Sequence, residues 1–250
     1  MIQRLRSKAL TLFQNITADS GYCPICEKNV HFIKRGPWLR DHYRCSSCHS
    51  IPRYRALIDA IKRFYPEFAD MHIHESSPNR GASSHFIKTR CRNYSSSHYF
   101  SDVPRGAYRD GHRSEDLSAL TFADNSFDLI ITQDVFEHVM EPRMAFSEIA
   151  RVLKPGGAHI FTMPWYPKLK TSVQRAMIEN GQVVHLLDPV YHGNPVAKEK
   201  GSLVTFDWGQ DFVDTIYHAS GMYTTIYLQK DKRKGIDGEF LEVFISRKIK

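Results

Sequence analysis

The sequence predicts an α/β protein in which a doubly wound, mostly parallel sheet follows a small metal-binding module near the N-terminus. From residue 71 onward, strand-like and helix-like segments alternate, which is typical of a parallel sheet with helices on both faces. Two Cys-x-x-Cys pairs precede this alternation and indicate the module. The 250 residues suffice for one such domain with a full core and a small appendage.

The composition is that of a globular protein. Hydrophobic residues make up 42% of the chain and charged residues 24%, so disorder is not indicated. No apolar run approaches the roughly 20 residues that cross a bilayer, and we expect no membrane span. Residues 1–19 are basic and weakly amphipathic, without the apolar stretch and small-residue cleavage site of a signal peptide. They are predicted to form an N-terminal helix or arm, and the chain is expected in the cytoplasm.

The positive charge is concentrated at one end of the chain. Residues 1–65 hold 12 Lys and Arg against 4 Asp and Glu, a net charge of +8, whereas residues 66–250 hold 22 against 23, a net charge of −1. Two interpretations follow. The basic segment binds an anionic partner such as nucleic acid, an acidic glycan or a phosphorylated carrier, or it offsets the negative charge of a metal–thiolate centre.

Four of the five cysteines predict a structural zinc site. Cys23 and Cys26 form one pair and Cys45 and Cys48 the other, with 18 residues between the pairs, which is a spacing typical of zinc modules. Residues 30–43, around a Gly-Pro dipeptide, suit a hairpin of the zinc-ribbon kind, and the module is assigned to residues 20–52. His49 is an alternative ligand, and Cys91 stands alone.

The helices and strands are predicted in chain order from the periodicity of apolar residues and from the Gly and Pro residues that end each element. A linking segment, residues 53–70, begins with a helix over 53–65. The larger domain, residues 71–250, then contains strands at 71–74, 97–100, 127–132 and 158–163, a helix at 142–153, a helix at 207–219, and strands at 223–228 and 240–246. No helix separates the last two strands, so an antiparallel pair is expected there.

The longest motif carries a resemblance to a known family. The run LTFADNSFDLIITQDVFEHV, residues 120–139, continues to IARVLKPGG, residues 149–157. It resembles the segment around strand four of class I S-adenosylmethionine-dependent methyltransferases of the methyltransferase type 11 kind. The resemblance covers residues 70–165 well. It implies a Rossmann-like sheet of seven strands, S-adenosylmethionine as cofactor and methyl transfer as the activity.

The resemblance also implies a set of cofactor-binding residues. In the family, an acid and alternating glycines follow strand one; here Glu75 and Gly81 match, while Ser77 and Asn79 stand at the other two glycine positions. The acid that binds the ribose hydroxyls corresponds best to Asp102. The full set implied by the resemblance is Glu75, Ser76, Ser77, Gly81, Asp102, Ser114, Glu115, Asp116, Gln133 and Asp134.

The acceptor is predicted to be a small molecule or a glycan. A hydroxyl acceptor needs a base, and His192 and His138 are the candidate catalytic residues, with a packing role as the other interpretation of His138. One alternative is a ribosomal RNA methyltransferase, since basic zinc-bearing modules also precede this domain in such enzymes. Another is a non-catalytic binding protein, because two of the expected glycines are replaced.

Overall fold

The computed structural model describes residues 18–193 and 201–249. Most of the predicted N-terminal helix or arm, residues 1–19, lies outside the described residues. Its last two positions, Ala18 and Asp19, begin a strand.

A three-stranded antiparallel sheet forms the N-terminal module. Two rings, those of Phe32 and Tyr43, are fully buried between its strands, with their centroids 5.6 Å apart. The hairpin predicted between the two cysteine pairs is present, with a short helix inserted in its loop. The elements are β1 (Ala18–Cys23), β2 (Lys28–Lys34), α1 (Leu39–His42) and β3 (Tyr43–Cys45).

Helix α2 (Pro52–Phe64) joins this module to the larger unit. A proline suits its first position because the N–H there has no partner within the helix. Leu57, Ile58 and Ile61 are fully buried on its inner face. They belong to one continuous apolar core that contains side chains of the module and of the central sheet. The module is therefore packed against the larger unit.

The larger unit follows the predicted alternation of strands and helices. Single 3₁₀ turns lie at Phe68–Asp70, Phe136–His138 and Lys232–Lys234. In chain order the elements are β4 (His72–Ser76), α3 (Ala82–Arg90), β5 (Asn93–His98), β6 (Tyr108–Arg109), β7 (His112–Ser114), β8 (Phe127–Gln133), α4 (Pro142–Val152), β9 (Leu153–Thr162), β10 (Val173–Gln174), β11 (Ala176–Glu179), β12 (Gln182–His185), β13 (Tyr191–His192), β14 (Ser202–Leu203), β15 (Phe206–Asp207), α5 (Phe212–Ser220), β16 (Tyr223–Tyr227) and β17 (Val243–Arg247).

Eight strands form the central sheet in the order β16-β17-β9-β8-β4-β5-β7-β6. Strands β7, β5, β4, β8 and β9 pair in parallel, whereas β17 runs antiparallel to both of its neighbours and β6 runs antiparallel to β7. The predicted doubly wound, mostly parallel sheet is confirmed. The eighth strand is the two-residue β6, and the antiparallel strand β17 lies one place inside the edge of the sheet.

The sheet has a reversal point that determines where a ligand binds. The chain leaves β4 toward β5 on one side, and it later returns to place β8 on the other side. Helices α2 and α3 cover one face with the first apolar core, and α4 and α5 cover the other with a second core. In open sheets of this kind, ligands bind outside the carboxyl ends of the strands at the reversal. Here that position is the carboxyl ends of β4 and β8.

The segment between β9 and α5 forms three small antiparallel ladders, which pair β10 with β15, β11 with β12, and β13 with β14. Residues 194–200 of this segment are not among the described residues. Across the described ranges, none of the helices combines the length and the apolar character required to cross a bilayer.

Candidate functional site

The four predicted metal ligands lie together in the N-terminal module. The Sγ atoms of Cys23 and Cys48 are 3.7 Å apart, those of Cys26 and Cys45 are 3.8 Å apart, and all four lie within 4.8 Å of one another. Zinc–sulfur bonds of about 2.3 Å place the sulfur atoms of a tetrahedral site about 3.8 Å apart. The cluster therefore has the size and the donor set of a closed zinc site. His49 is exposed and is not part of it.

Each Cys-x-x-Cys pair closes with the same backbone turn. Glu27 and His49, which follow the second cysteine of each pair, both have a φ angle of 56°. Their N–H groups donate to the carbonyl oxygens of Cys23 and Cys45 at 2.9 and 3.1 Å. Glycine and asparagine are the residues that usually adopt this left-handed conformation. The identities of Glu27 and His49 therefore did not predict these turns.

A buried arginine lies behind the cysteine cluster. The guanidinium of Arg55 is fully buried and donates to the carbonyl oxygens of Tyr43 and Gly235 at 2.8 and 2.5 Å, and also to that of Ser50. It stacks on the ring of Phe32, 4.7 Å from the centroid. A buried cation next to four thiol ligands offsets negative charge there, as one of the two charge interpretations expects. Sequence reasoning had not singled out Arg55.

The turn after β4 is organised around the buried carboxylate of Glu75. It accepts hydrogen bonds from the Ser84 hydroxyl at 2.6 Å, the Gln133 amide at 2.6 Å and the Tyr94 hydroxyl at 2.8 Å. Burial raises the pKa of this carboxyl, although the three donors oppose the shift. Glu75 thus ties β4, α3, β5 and β8 together at the reversal point. Ser76 is also buried.

The serine in the first glycine position adopts the conformation that glycine would supply. Ser77 has a φ angle of 56°, and its N–H donates to the Ser97 carbonyl oxygen at 2.7 Å. Asn79 stands in the second position; its side-chain Nδ2 donates to Oε1 of Gln133 at 2.9 Å, and its Oδ1 accepts from the Gly81 N–H at 2.6 Å. Hydrogen bonds of Ser77 and Asn79 therefore hold this turn at the two positions where glycines were expected.

Gly81 lies where another side chain approaches the main chain closely. A Cβ atom there would be 2.4 Å from the ring of Tyr54, on helix α2. Arg53, next to it, places its guanidinium 4.9 Å from that ring. The N-terminal end of α2 therefore covers the turn after β4.

Asp134 joins the end of β8 to the module and to α2. It has a φ angle of 52°, and its carboxylate pairs with Arg40 of α1 at 2.6 Å and with Arg53 at 2.9 Å. The Thr162 hydroxyl donates to it at 3.1 Å. Burial opposes ionisation of this carboxyl, but the two guanidinium groups outweigh burial and lower its pKa.

The other predicted cofactor residues lie beyond β5 and β7, and each carboxylate has a local partner. Asp102 is exposed and forms a double hydrogen bond with Arg109, at 2.6 and 3.0 Å. Glu115 is buried between Arg113 and Thr121. Ser114 is buried and donates to the carbonyl oxygen of residue 103, while Asp116 accepts from the backbone and hydroxyl of residue 118. Their contact with a cofactor stays a prediction.

A cavity of about 250 Å³ opens beside the carboxyl ends of β8 and β9. We call it the acceptor cavity. Charged and aromatic side chains line its wall, and His192 of β13 is one of the lining residues. Its lining residues are Glu137, Pro164, Tyr166, Leu169, Arg175, Val190, His192, Val204, Phe206 and Asp207.

The two candidate catalytic histidines lie next to each other at this cavity. The rings of His138 and His192 meet edge to face with centroids 5.1 Å apart. The buried carboxylate of Glu137 faces both rings, with its Oε1 atom 3.7 Å from His138 Nε2 and 3.8 Å from His192 Nδ1. Sequence reasoning missed Glu137, although it directly precedes His138 in the recognised motif.

Comparison with known proteins agrees with this architecture. Residues 81–161 match the family described as methyltransferase domain. This part of the chain therefore resembles a methyltransferase domain, and the sheet has the class I Rossmann-like fold predicted from the sequence.

The curated relatives match over short stretches. A demethylmenaquinone methyltransferase from Renibacterium salmoninarum is 41% identical over 59 residues, which cover 22% of this chain and 25% of the relative. A phosphoethanolamine N-methyltransferase 2 from Caenorhabditis elegans is 40% identical over 48 residues, covering 19% of this chain and 11% of the relative. The chain thus spans a quarter or less of these relatives.

Similar solved structures include an S-adenosylmethionine-dependent methyltransferase from Mesorhizobium loti, with a TM-score of 0.49 and 16% identity over 77% of this chain and 97% of that one. An amino pentose methyltransferase from Micromonospora echinaspora gives a TM-score of 0.48 and 15% identity over 76% of this chain and 87% of that one. The fold assignment follows from the strand order of the sheet itself.

The resemblance implies that the cofactor lies at the turn after β4. Ser77 has the left-handed conformation there, and the ring of Tyr54 fills the space beside Gly81. Asp134 and Arg53 lie at the end of β8 and pair with each other at 2.9 Å. Contact of these residues with a cofactor stays a prediction.

Proposed function

We propose that the chain transfers the methyl group of S-adenosylmethionine to a small-molecule or glycan acceptor bound in the acceptor cavity. The observation that carries this proposal is the position of the cavity at the carboxyl ends of β8 and β9, which is the edge of the sheet where the turn after β4 also lies. An acceptor there is at the same edge of the sheet as the position that the resemblance implies for the cofactor.

The cofactor supplies an electrophilic methyl group on a sulfonium. The chain's own residues hold and shield the reactants, because an in-line displacement depends mainly on alignment. Glu75 keeps the turn in place through Ser84 and Gln133. The N-terminal end of α2 covers this turn, with the ring of Tyr54 over Gly81.

The acceptor cavity supports a polar small molecule or sugar as substrate. Arg175 pairs with Asp207 at 2.7 Å on one wall, and the aromatic rings of Tyr166 and Phe206 form others. Charged groups with aromatic surfaces suit a hydroxylated acceptor. His192, whose side chain is 44% exposed, is placed to take a proton from a hydroxyl.

The charge distribution favours this proposal over an RNA substrate. Four of the basic residues in the N-terminal quarter serve internal contacts. Arg40 and Arg53 neutralise Asp134, and Arg55 is buried behind the cysteines. Lys62 pairs with Glu27 at 2.6 Å. These contacts use part of the excess positive charge inside the protein, so less of it remains on the surface.

The cysteine cluster is proposed to hold one structural zinc ion. The Sγ separations of 3.7 and 3.8 Å support it, as does the absence of an open position among four thiol ligands. All five cysteines are unbridged, which suits a reducing compartment such as the cytoplasm.

The test uses cofactor binding first and label transfer second. Calorimetry with S-adenosylmethionine and S-adenosylhomocysteine is expected to give saturable binding; no heat and no thermal shift would favour the non-catalytic alternative. Label from the methyl group is then followed into small-molecule, glycan and RNA fractions. We expect transfer into one of the first two fractions, and transfer into RNA alone would overturn the proposed substrate class.

A variant pair sharpens the assignment of the cavity. His192→Ala is expected to reduce transfer while S-adenosylhomocysteine binding persists. His185→Ala removes an exposed histidine of the neighbouring hairpin and is the matched control. Equal transfer by both variants would remove His192 from the proposed site.

A further inference from the structure

We infer that Glu137, His138 and His192 form a second metal site, for a divalent transition metal ion, at the wall of the acceptor cavity. One carboxylate and two imidazoles offer three ligand atoms within 4.8 Å of one another. The role given to the ion below, binding an acceptor oxygen, rests on the proposed function. The binding of the ion itself does not.

The carboxylate of Glu137 is buried without a partner. The residue is 1% exposed, and neither of its carboxylate oxygens accepts a hydrogen bond within the described part of the chain. A buried carboxylate in that condition is costly unless a cation compensates for it. No arginine or lysine pairs with it among the described residues, and the groups that face Oε1 are the rings of His138 and His192.

The separations suit an ion placed between the three side chains. Oε1 of Glu137 lies 3.7 Å from Nε2 of His138 and 3.8 Å from Nδ1 of His192, which is too long for a hydrogen bond. Ligands about 2.0–2.1 Å from a tetrahedral zinc ion lie about 3.4 Å apart. The observed distances exceed that value by a few tenths of an ångström, so small side-chain shifts close the site on an ion.

The hydrogen bond of His138 directs a lone pair toward this position. Its Nδ1 atom lies 2.8 Å from the Leu203 carbonyl oxygen. A carbonyl oxygen only accepts, so Nδ1 carries the proton and Nε2, which faces Glu137, is free to bind a metal. A second ring nitrogen bonded to a backbone carbonyl is typical of metal-binding histidines.

One short strand assembles the three ligands. Leu203 of β14 accepts from His138, and β14 pairs with β13, where His192 lies opposite Ser202. Thr205, just beyond β14, donates through its N–H to the Glu137 carbonyl oxygen at 2.7 Å. Residues 202–205 therefore hold the side chain of His138 and the backbone of Glu137 and His192, and they lie 65 or more positions from Glu137.

The site is open toward the cavity, unlike the cysteine cluster. Three protein ligands leave at least one position for another molecule, as in catalytic zinc sites. Imidazole and carboxylate ligands suit Zn²⁺, Fe²⁺ or Mn²⁺. An acceptor hydroxyl bound to the ion would be more acidic and would release its proton to solvent water in the cavity. His192 then acts as a ligand, which replaces its role as a base.

The experiment measures metal stoichiometry on the full-length protein with its cysteine cluster loaded with zinc. The protein is equilibrated with excess Zn²⁺ or, separately, Mn²⁺, then desalted and analysed by elemental analysis. We expect one ion beyond the cysteine-bound zinc in the wild type and none beyond it in His192→Ala or Glu137→Gln. His185→Ala is expected to match the wild type.

Three outcomes decide the inference. Wild-type protein that binds neither ion beyond the cysteine-bound equivalent overturns it, and so does an additional ion that is retained by His192→Ala. A lost ion in His192→Ala supports it, because this half-exposed residue is not needed for the core and circular dichroism can show that the variant is folded.

Failure of this inference is separable from failure of the proposed function. Binding of S-adenosylhomocysteine without a second ion refutes the metal site alone, whereas a second ion without cofactor binding refutes the proposed function alone. If methyl transfer is detected, removing the second ion is expected to lower it about tenfold or more, with recovery on adding the ion back.

Discussion

The ion pairs of Asp134 give the most specific stability prediction. Replacing Asp134 with asparagine removes the negative charge and keeps the size of the side chain. Asparagine also tolerates the φ angle of 52° that this position requires. The change therefore isolates the charge that joins the end of β8 to Arg40 of the module and Arg53 of α2.

The expected magnitude follows from burial. The side chains of Asp134, Arg40 and Arg53 are 20%, 8% and 16% exposed. Breaking a buried ion pair by removing one partner costs about 3–5 kcal/mol. The substituted asparagine can still accept one hydrogen bond, and Arg53 keeps its contact with Asp41. We therefore expect a loss of about 2–3 kcal/mol, or about 5–10 °C in Tm for a chain of this size.

The assay is urea and thermal unfolding of the zinc-loaded protein without cofactor. Asp102→Asn is the matched control, because Asp102 also forms a short double contact with an arginine but has a side chain that is 69% exposed. Its Tm is expected to equal that of the wild type. If Asp134→Asn unfolds at the same temperature as Asp102→Asn, the module is not held to the sheet by this charge.

Three further changes test other parts of the structure. Cys45→Ser is expected to bind one zinc ion fewer than the wild type by elemental analysis, whereas Cys91→Ser, which removes the unpaired buried thiol, is expected to match the wild type; equal zinc in both variants contradicts the four-thiol site. Gly81→Ala is expected to lower the free energy of unfolding by about 1–3 kcal/mol, since its Cβ meets a tyrosine ring at 2.4 Å; an unchanged value means that the ring moves aside. Burial lowers the pKa of His159 to about 3, so the folded state stays neutral while the unfolded state binds a proton below about pH 6.5. Stability from this group is present above about pH 6.5 and is lost as the pH falls toward about 3, by about 1.4 kcal/mol at about pH 5.5. Urea unfolding measures this effect between about pH 7.5 and 5.5. Over that range the free energy of unfolding is expected to fall by about 1.4 kcal/mol less in His159→Phe than in the wild type, and the exposed His85→Ala control is expected to behave like the wild type. Identical pH dependence in all three proteins refutes the assignment.

The sheet could be predicted where its strands are apolar. Residues 127–132 lie within β8 and most of residues 158–163 within β9, because both strands are buried on two faces and therefore appear as apolar runs. Strand β5 was placed too late, at 97–100, since its residues 93–98 are polar. Its serines and tyrosine satisfy buried partners on β4: Ser97 faces His74, and Tyr94 donates to Glu75. Apolar periodicity carries no signal for such a strand.

The helix predicted over 207–219 begins later than expected. Asp207 lies in β15 and pairs with Val173, and α5 starts only at Phe212. Gly209 explains part of the delay, since a Cβ there would be 2.8 Å from the Leu169 carbonyl oxygen. The chain is thus held against the segment after β9, and this tertiary contact overrides local helix propensity.

The clustering of the four cysteines could be predicted because their spacing in the sequence is local. Two residues separate the members of each pair, so the spacing alone defines two halves of a site. Arg40 and Asp134 lie 94 positions apart, and Glu137 and His192 lie 55 apart. The contacts within these two pairs depend on how the module and the segment after β9 pack on the sheet. No sequence motif predicts that packing.

The contacts of the N-terminal module indicate that it is a structural part of the larger unit. The cysteine cluster orders the strands from which α1 presents Arg40, and α2 carries Arg53 and Tyr54 from the module to the reversal point. Both arginines form ion pairs with Asp134. The preceding residue, Gln133, donates a hydrogen bond to Glu75. The charged contacts of Asp134 and the ring of Tyr54 therefore connect the module to the turn after β4. In contrast, the three residues inferred to bind a second ion are held together by β14 and the residue just beyond it. The turn and the inferred ion site are thus held by different parts of the chain.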